Sequence, residues 1–466
     1  MGIQGHLEKN MSKIETFKRT LILMCSMLGV LLLTLIYGYT WLNVLPGHYV
    51  WKINLFFKGH ILLIVVYGAL LFFFTSVLGG LRVGYLKPMD VFLSNVFALI
   101  IVNIVSYAQI SLMELRLFKA SPMIVMTVIQ IVFAGIWTML SNYLYHIFFP
   151  PRKLLFVHGD RPVDDIVAKF ATRKDKYIIK NKISVNIPEE ELREEMLKKD
   201  YDGVVLWDLP AKLRNRNLKF LYAHNVRVYM SPKISDVIIK GSDPLHIFDT
   251  PIFLTREYSL KVEQRFFKRI IDIVCALILT IITSPIMLVT AIIIKCYDGG
   301  PVLYKQIRCT QGAREFKIMK FRSMRVDAEK DGVARLATKN DSRITPIGRF
   351  IRAVRIDELP QLFNIIKGDM SFIGPRPERP EIIRQYMEDM PEFAFRMKVK
   401  AGLAGYAQVY GKYNTTPYDK LKLDLSYIEN YSVWLDIKLM LLTLKILVTP
   451  EATEGVDENQ TTAAKV

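Results

Sequence analysis

The sequence predicts a membrane protein in three parts: an α-helical N-terminal bundle, an α/β Rossmann-like cytoplasmic domain, and a mixed α/β domain with a re-entrant membrane helix. Three observations lead there. First, 51% of the residues are hydrophobic while 23% are charged, which a membrane part joined to a charged soluble part explains better than one uniform soluble body. Second, four long uncharged stretches open the chain, and short apolar runs alternating with charged helical runs follow them. Third, a fifth apolar run carries Ser284-Pro285 at its centre. At 466 residues, more than one folding unit is expected in any case. The partition that follows is 1–151 for a four-span bundle, 152–255 for the α/β domain, 256–450 for the re-entrant helix and third domain, and 451–466 for a polar, disordered tail.

The four stretches run from Thr20 to Trp51, Gly59 to Leu81, Val91 to Met113 and Ala120 to Pro151. Each supplies the roughly 20 apolar residues that cross a bilayer core. The length of the first and the three that follow argue against a cleavable signal peptide. Lys9, Lys13, Lys18 and Arg19 precede the first stretch, and Arg152 and Lys153 follow the fourth, so both ends are expected in the cytoplasm.

After Pro150-Pro151 the segments KLLFVHGD, KYIIKNKISV, GVVLWDLP and NVRVYM read as short buried strands, with helix-forming stretches such as EEELREEMLKK between them. That alternation predicts a parallel sheet. The first strand meets His158-Gly159-Asp160 without a GxGxxG, which favours a structural or regulatory role over a dinucleotide site.

The fifth run, Ile273 to Ile294, follows the basic stretch Arg265 to Arg269. Pro285 removes a helical hydrogen bond and Ser284 can satisfy the loosened carbonyl, so the run reads either as a kinked fifth span or as a helix that breaks and returns. A full span would place everything after Lys295 outside the cell. Re-entry keeps the basic, phosphate-suited motifs on the side where the α/β domain lies, and is preferred.

The net charge of +18 fits anionic lipid or phosphorylated ligands, and the long apolar segments beside the basic regions speak against nucleic acid. Cys25, Cys275, Cys296 and Cys309 form no CxxC pair or metal-ligand spacing and read as buried fillers in a reducing compartment.

The chemistry concentrates after Gly299. In FKIMKFRSMR, Lys320 and Arg322 project from one face of a strand. GRFIRAVR sets Arg349, Arg352 and Arg355 three apart, a basic stripe on a helix whose other side carries Phe350, Ile351 and Val354 and suits a membrane surface. Asp357-Glu358 then precede a helix start at Pro360, where main-chain N–H groups favour a nearby phosphate. In SFIGPRPE, Pro375 and Pro377 fix the backbone around Arg376 for bidentate phosphate contacts. Each stretch alone also reads as a solvated edge, a helix cap or a surface turn. Trp434 to Val448, apolar but interrupted by Asp436, Lys438 and Lys445, reads as an amphipathic interfacial helix.

Taken together, KRIIDIV, the Ser-Pro break, GPVLYKQIR, KFRSM, DSRITPIGRFIR, DELPQLFNIIKGDMSFIGPRPE, GYAQVYGK and LDLSYIENYSVWLDIKL occur in an order that resembles the bacterial sugar transferases, the monotopic polyprenyl phosphate phosphoglycosyl transferases, over about 268–449. The four spans and α/β domain look like the long-form members that initiate exopolysaccharide, capsule or O-antigen synthesis. The resemblance implies that Asp357 is the nucleophile, Glu358 its dyad partner, and Ser284-Pro285 the re-entrant break. It implies that Arg376 contacts substrate phosphate, with Lys320, Arg322, Arg352 and Arg355 nearby, and that Mg²⁺ sits at Asp357 and Glu358. The implied reaction moves a sugar-1-phosphate from a UDP-sugar, UDP-glucose or UDP-galactose by family precedent, to undecaprenyl phosphate through a phosphosugar-aspartate, releasing UMP. The implied setting is the bacterial cytoplasmic (inner) membrane, with membrane lipids as partners and oligomeric state left open. Two places depart from the family pattern: KAGLAGYAQ has Ala401 and Ala404 where proline and threonine are usual, and IRCTQG lacks the usual glycine-bearing turn. The competing reading is a non-catalytic scaffold that binds nucleotide sugars and regulates polysaccharide assembly. A transporter is disfavoured because the four stretches hold no Asp, Glu, Lys or Arg.

Overall fold

The computed structural model describes residues 2–45, 56–117, 119–255, 260–325, 343–411 and 415–447; the 451–466 segment expected to be disordered lies outside them. The chain divides into two compact units, Met1–Ser231 and Pro232–Val466.

The first unit opens with α1 (Gly2–Tyr39), which runs into a π-helical turn, Thr40–Val44, then α2 (Phe57–Leu78), α3 (Pro88–Glu114) and α4 (Ser121–Phe148). Phe17–Val44 and α2 to α4 are each long and apolar enough to cross a bilayer. Leu31, Leu35, Ile104, Val132 and Ile136 point outward and exposed, as lipid-facing positions should. Apolar burial supplies little association energy in lipid, so interhelical polar contacts gain importance. Here Tyr67 donates to Asn103 (2.7 Å), Asn103 donates to Gln130 and Thr127 (2.9 Å each), and Gln130 donates to the Leu33 carbonyl (3.1 Å). That chain of bonds joins all four helices.

The α/β part of this unit follows: β1 (Arg152–His158), α5 (Asp164–Ala171), β2 (Tyr177–Ser184), α6 (Glu189–Met196), β3 (Gly203–Trp207), α7 (Ala211–Ala223) and β4 (Val228–Met230). All four expected strands form, in one parallel sheet ordered β2-β1-β3-β4. Leu155, Val157, Val204 and Leu206 pack on α6 and α7 from one face, while Leu154, Phe156 and Val205 pack with Ile166 and Phe170 of α5 on the other. Beyond β1, the Gly159 N–H donates to the Trp207 carbonyl (3.1 Å), and a Cβ at Gly159 would lie 2.4 Å from the Asp208 carbonyl oxygen. Main chain from the ends of β1 and β3 therefore approaches too closely at Gly159 for a side chain to fit.

The second unit begins with α8 (Ile234–Gly241) and the antiparallel hairpin β5 (Asp243–Ile247) and β6 (Thr250–Leu254). The long helix α9 (Val262–Asp298) leads into the antiparallel pair β7 (Leu303–Cys309) and β8 (Glu315–Phe321). Then come α10 (Pro346–Ala353), α11 (Gln361–Lys367), β9 (Ser371–Ile373), α12 (Pro380–Asp389), β10 (Gly402–Ala404) parallel to β9, α13 (Tyr406–Tyr410), α14 (Pro417–Glu429) and α15 (Val433–Leu447). Their shared core includes Val237, Ala276, Phe316, Ile365, Met370, Phe393, Leu421, Tyr427 and Leu439.

Pro285 lies inside α9, which runs as one helix from Val262 to Asp298, so the expected break takes the form of a proline within the helix and not of a loop. Proline removes one main-chain N–H there, and the Ser284 hydroxyl donates to the Ile281 carbonyl (2.8 Å), satisfying the acceptor that the ring leaves. In α15, Asp436 is buried against Lys268 (2.7 Å), while Trp434, Ile437 and Leu444 are exposed, an apolar outer face of the kind an interfacial helix presents to lipid.

Candidate active site

Four segments of the second unit converge on one place. β8 brings Lys320, and α10 brings Arg352. The chain then turns sharply at Arg355, whose φ of 58° is a left-handed conformation costly for a residue that carries a Cβ. That turn leads into a single 3₁₀ turn, Ile356–Glu358, carrying both carboxylates, and Pro360 caps α11 one residue before the helix begins. The main-chain dipole expected to attract phosphate is therefore small, since α11 has only seven residues. The positive charge at this place comes from cationic side chains instead.

Glu358 accepts a hydrogen bond from Lys320 Nζ at 2.8 Å. Arg376 Nη2 lies 3.5 Å and Arg355 Nη1 3.9 Å from the same carboxylate. Burial alone would raise this carboxyl, but Lys320, Arg376 and Arg355 together outweigh it and hold Glu358 well below the usual carboxylate range. Asp357 differs. It is only 7% exposed, and among the described residues no hydrogen bond or salt bridge reaches its carboxylate. Burial and the adjacent Glu358 charge push its pKa up to about 6, against the pull of Lys320, Arg352 and Arg355. One carboxylate is thus locked in its anionic form and the other is left with its oxygens unengaged.

The Gly374–Glu378 loop is fixed from behind. Arg396 Nη2 donates to the Arg376 carbonyl (3.0 Å), Arg308 Nη1 to the Pro377 carbonyl (3.2 Å), and Cys309 N to the Glu378 carbonyl (3.0 Å). Glu378 sits 3.7 Å from each of Arg308, Arg396 and Lys420, and these charges keep its carboxyl low although desolvation pushes it up. Arg396 is also paired with the buried Asp424 at 2.8 Å. Sequence reading missed Arg308, Arg396 and Asp424, which carry no local signal because their partners are distant in the chain.

The structure brings Asp357, Glu358, Lys320, Arg352, Arg355 and Arg376 together. It does not bring Arg322. That guanidinium, 8% exposed, forms a bidentate pair with Asp298 and donates through Nε to the Pro301 carbonyl (2.7 Å). The expected shared role with Lys320 gives way because Asp298 and the Pro301 carbonyl take up the Arg322 guanidinium. Ser284 and Pro285 lie within α9, distant in sequence from this cluster. The two departures from the family pattern meet each other: the Ala401 N–H, which proline would lack, donates to Thr310 Oγ1 at 3.1 Å, and that hydroxyl donates to the Asp369 carbonyl at 2.8 Å.

Among the described residues no cluster of three or more His, Cys, Asp or Glu forms a protein-only metal cage. Adjacent carboxylates with unengaged Asp357 oxygens do suit a hard divalent cation such as Mg²⁺, which takes one or two carboxylates and completes its shell with water and phosphate oxygens.

An α/β domain carrying an apolar helix, with a carboxylate pair ringed by cations, defines a membrane-attached protein suited to phosphoryl chemistry. Residues 263–450 match the family model described as bacterial sugar transferase. A glucose-1-phosphate transferase of Caulobacter vibrioides, named UDP-glucose:undecaprenyl-phosphate glucose-1-phosphate transferase, is 39% identical over 189 residues, 40% of this chain and 70% of the relative. The chain belongs to the bacterial sugar transferase family. An Aeromonas hydrophila protein named UDP-N-acetylgalactosamine-undecaprenyl-phosphate N-acetylgalactosaminephosphotransferase is 43% identical over 187 residues, covering 40% of this chain and 44% of that protein. A Klebsiella pneumoniae UDP-glucose:undecaprenyl-phosphate glucose-1-phosphate transferase is 35% identical over 248 residues, covering 52% and 51%. The chain spans about half the length of these last two.

Proposed function

We propose that the protein transfers a sugar-1-phosphate from a UDP-sugar to undecaprenyl phosphate, releasing UMP, with Asp357 as nucleophile. The observation that carries this reading is the buried, unengaged Asp357 carboxylate beside a Glu358 already neutralised by Lys320. An Asp357 oxygen attacks the sugar-linked phosphorus, and the bond from that phosphorus to the bridging oxygen breaks. UMP leaves with the electron pair, and a phosphosugar-aspartate remains. A phosphate oxygen of the carrier lipid then attacks the same phosphorus and returns Asp357 as carboxylate. Arg376, Arg352 and Arg355 hold the diphosphate oxygens, and Glu358 keeps Lys320 fixed. Mg²⁺ held at Asp357 and Glu358 would neutralise diphosphate charge.

Re-entry of α9 belongs to the same reading. Near its start, Lys268 donates to the Ile373 carbonyl (2.9 Å), Arg269 to the Ile365 and Ile366 carbonyls (2.7 Å each), and Asp272 accepts from Ser371 and Phe372 (2.9 Å each). At its far end Asp298 is held by Arg322, and Ile294 packs with Phe321 and Ile351. Between these anchors Ile281, Ile282, Leu288 and Val289 are exposed. An apolar middle with both ends tied to one charged unit supports entry and exit on one membrane face. The fold reading extends to a Rossmann-like assignment for 152–255 and a 256–450 catalytic part, at the cytoplasmic (inner) membrane of a bacterium.

The test is UMP release by the full chain in nanodiscs containing undecaprenyl phosphate and Mg²⁺. The donors are UDP-glucose, UDP-galactose and UDP-N-acetylgalactosamine, and Asp357→Asn is run in parallel. Release from one donor by wild type only supports the reading and identifies the sugar. Binding of a donor without release favours the scaffold, and equal release by the variant removes Asp357 as nucleophile.

A further inference from the structure

Arg376 has an unusual amount of structure committed to its main chain. Prolines fix the backbone on both sides of it, and its carbonyl accepts from Arg396 Nη2 at 3.0 Å. Arg396 is 3% exposed, and its Nε and Nη2 both reach Asp424 Oδ2, at 3.0 and 2.8 Å. Asp424 is itself buried on α14. Arg396 Nη1 lies 3.7 Å from Glu378, two residues beyond Arg376. A guanidinium can serve Asp424 and the Arg376 carbonyl at once because its donors are held in a rigid plane; an ammonium offers a single point. A pair built only for stability would not need the third contact, to the main chain of a site residue.

We propose that Arg396 is a positioning residue for the transfer reaction. Held by Asp424, it grips the Arg376 carbonyl and so fixes where the Arg376 guanidinium meets the diphosphate. The inference rests on the proposed function, since that reading makes Arg376 a phosphate contact. Arg396 itself touches no substrate; its effect passes entirely through Arg376.

The experiment is a mutant cycle read by UDP binding to the full chain in nanodiscs with Mg²⁺. Removing Arg396 alone would strand the Asp424 charge in the interior, so the perturbation is the paired Arg396→Gln/Asp424→Asn, and Arg396→Lys serves as a second variant. Arg376→Ala and the paired variant are each expected to weaken UDP binding about tenfold, the loss of one charge-assisted contact. Combined, they should remain within about twofold of Arg376→Ala alone, because a positioning residue has nothing left to position. Additive loss, about a hundredfold, overturns the proposal, as does wild-type affinity in both Arg396 variants. Amide hydrogen exchange of the Gly374–Glu378 loop without nucleotide separates this from the functional reading. Faster loop exchange in the variants supports the grip even if wild type binds no UDP, which would sink the transferase reading alone. Unchanged exchange overturns the grip whatever the protein's activity.

Discussion

Replacing Asp357 by asparagine should make the protein more stable at neutral pH, although it removes the proposed nucleophile. The cause is the raised carboxyl, which moves from 3.8 to about 6 through burial and the Glu358 charge. The folded state then holds the proton more tightly than the unfolded chain. Above about pH 6 the ionised group opposes folding in full, and below its unfolded value the opposition vanishes. Raising a carboxyl by that amount costs the folded state about 3 kcal/mol at pH 7 or above. Asparagine keeps the shape and removes the charge. In a unit of this size the gain corresponds to a Tm rise of about 6–12 °C. The assay is thermal unfolding of wild type and Asp357→Asn in the same detergent at pH 8.0, 6.5 and 4.5, with the gap largest at the first and closing toward the last. UMP release by wild type should also fall as pH drops through about 6. A variant no more stable than wild type at pH 8, or a gap as large at pH 4.5 as at pH 8, would refute the reasoning.

Lys268→Met should destabilise the second unit by about 3–5 kcal/mol because it leaves Asp436 charged and buried, and Lys268→Met/Asp436→Leu should recover most of the loss in thermal unfolding. Arg322→Ala should lower the Tm by releasing Asp298 at the end of α9, with the KM for nucleotide sugar unchanged; a tenfold higher KM would return Arg322 to the pocket. Ala401→Pro should cost about 1 kcal/mol in wild type, by removing the N–H that pairs with Thr310, and much less in a Thr310→Gly background. Equal costs in the two backgrounds would mean the bond is not what ties those positions.

Much of the architecture was legible because it rests on periodicity. The last three apolar stretches became helices within a few residues of the expected bounds, the first helix starts well before its stretch, and the runs of β1 and β3 were legible because a parallel strand buried on both faces reads as a continuous apolar run. Site residues were legible as local clusters, but not in their pairing. Lys320 and Glu358 stand 38 positions apart, and no spacing rule reports that they touch at 2.8 Å. Arg322 shows the opposite failure, since its neighbour Lys320 suggested a shared role while Asp298, 24 positions away, claimed it. Asp436 interrupts an apolar run without a local reason because its partner Lys268 lies 168 positions back.

The two tethered ends of α9 carry a consequence for how the protein can be made. Ala276 belongs to the main core of the second unit, and Ile294 to a smaller cluster beneath α10. Trimming away the apolar helix to obtain a water-soluble enzyme would therefore also remove Lys268, Asp272 and Asp298 from the contacts that hold β9, α15 and Arg322. Anchor and globule form one piece, so this unit can mature only where lipid, or a substitute for it, is already at hand. Purification has to begin from the bilayer rather than engineer it out.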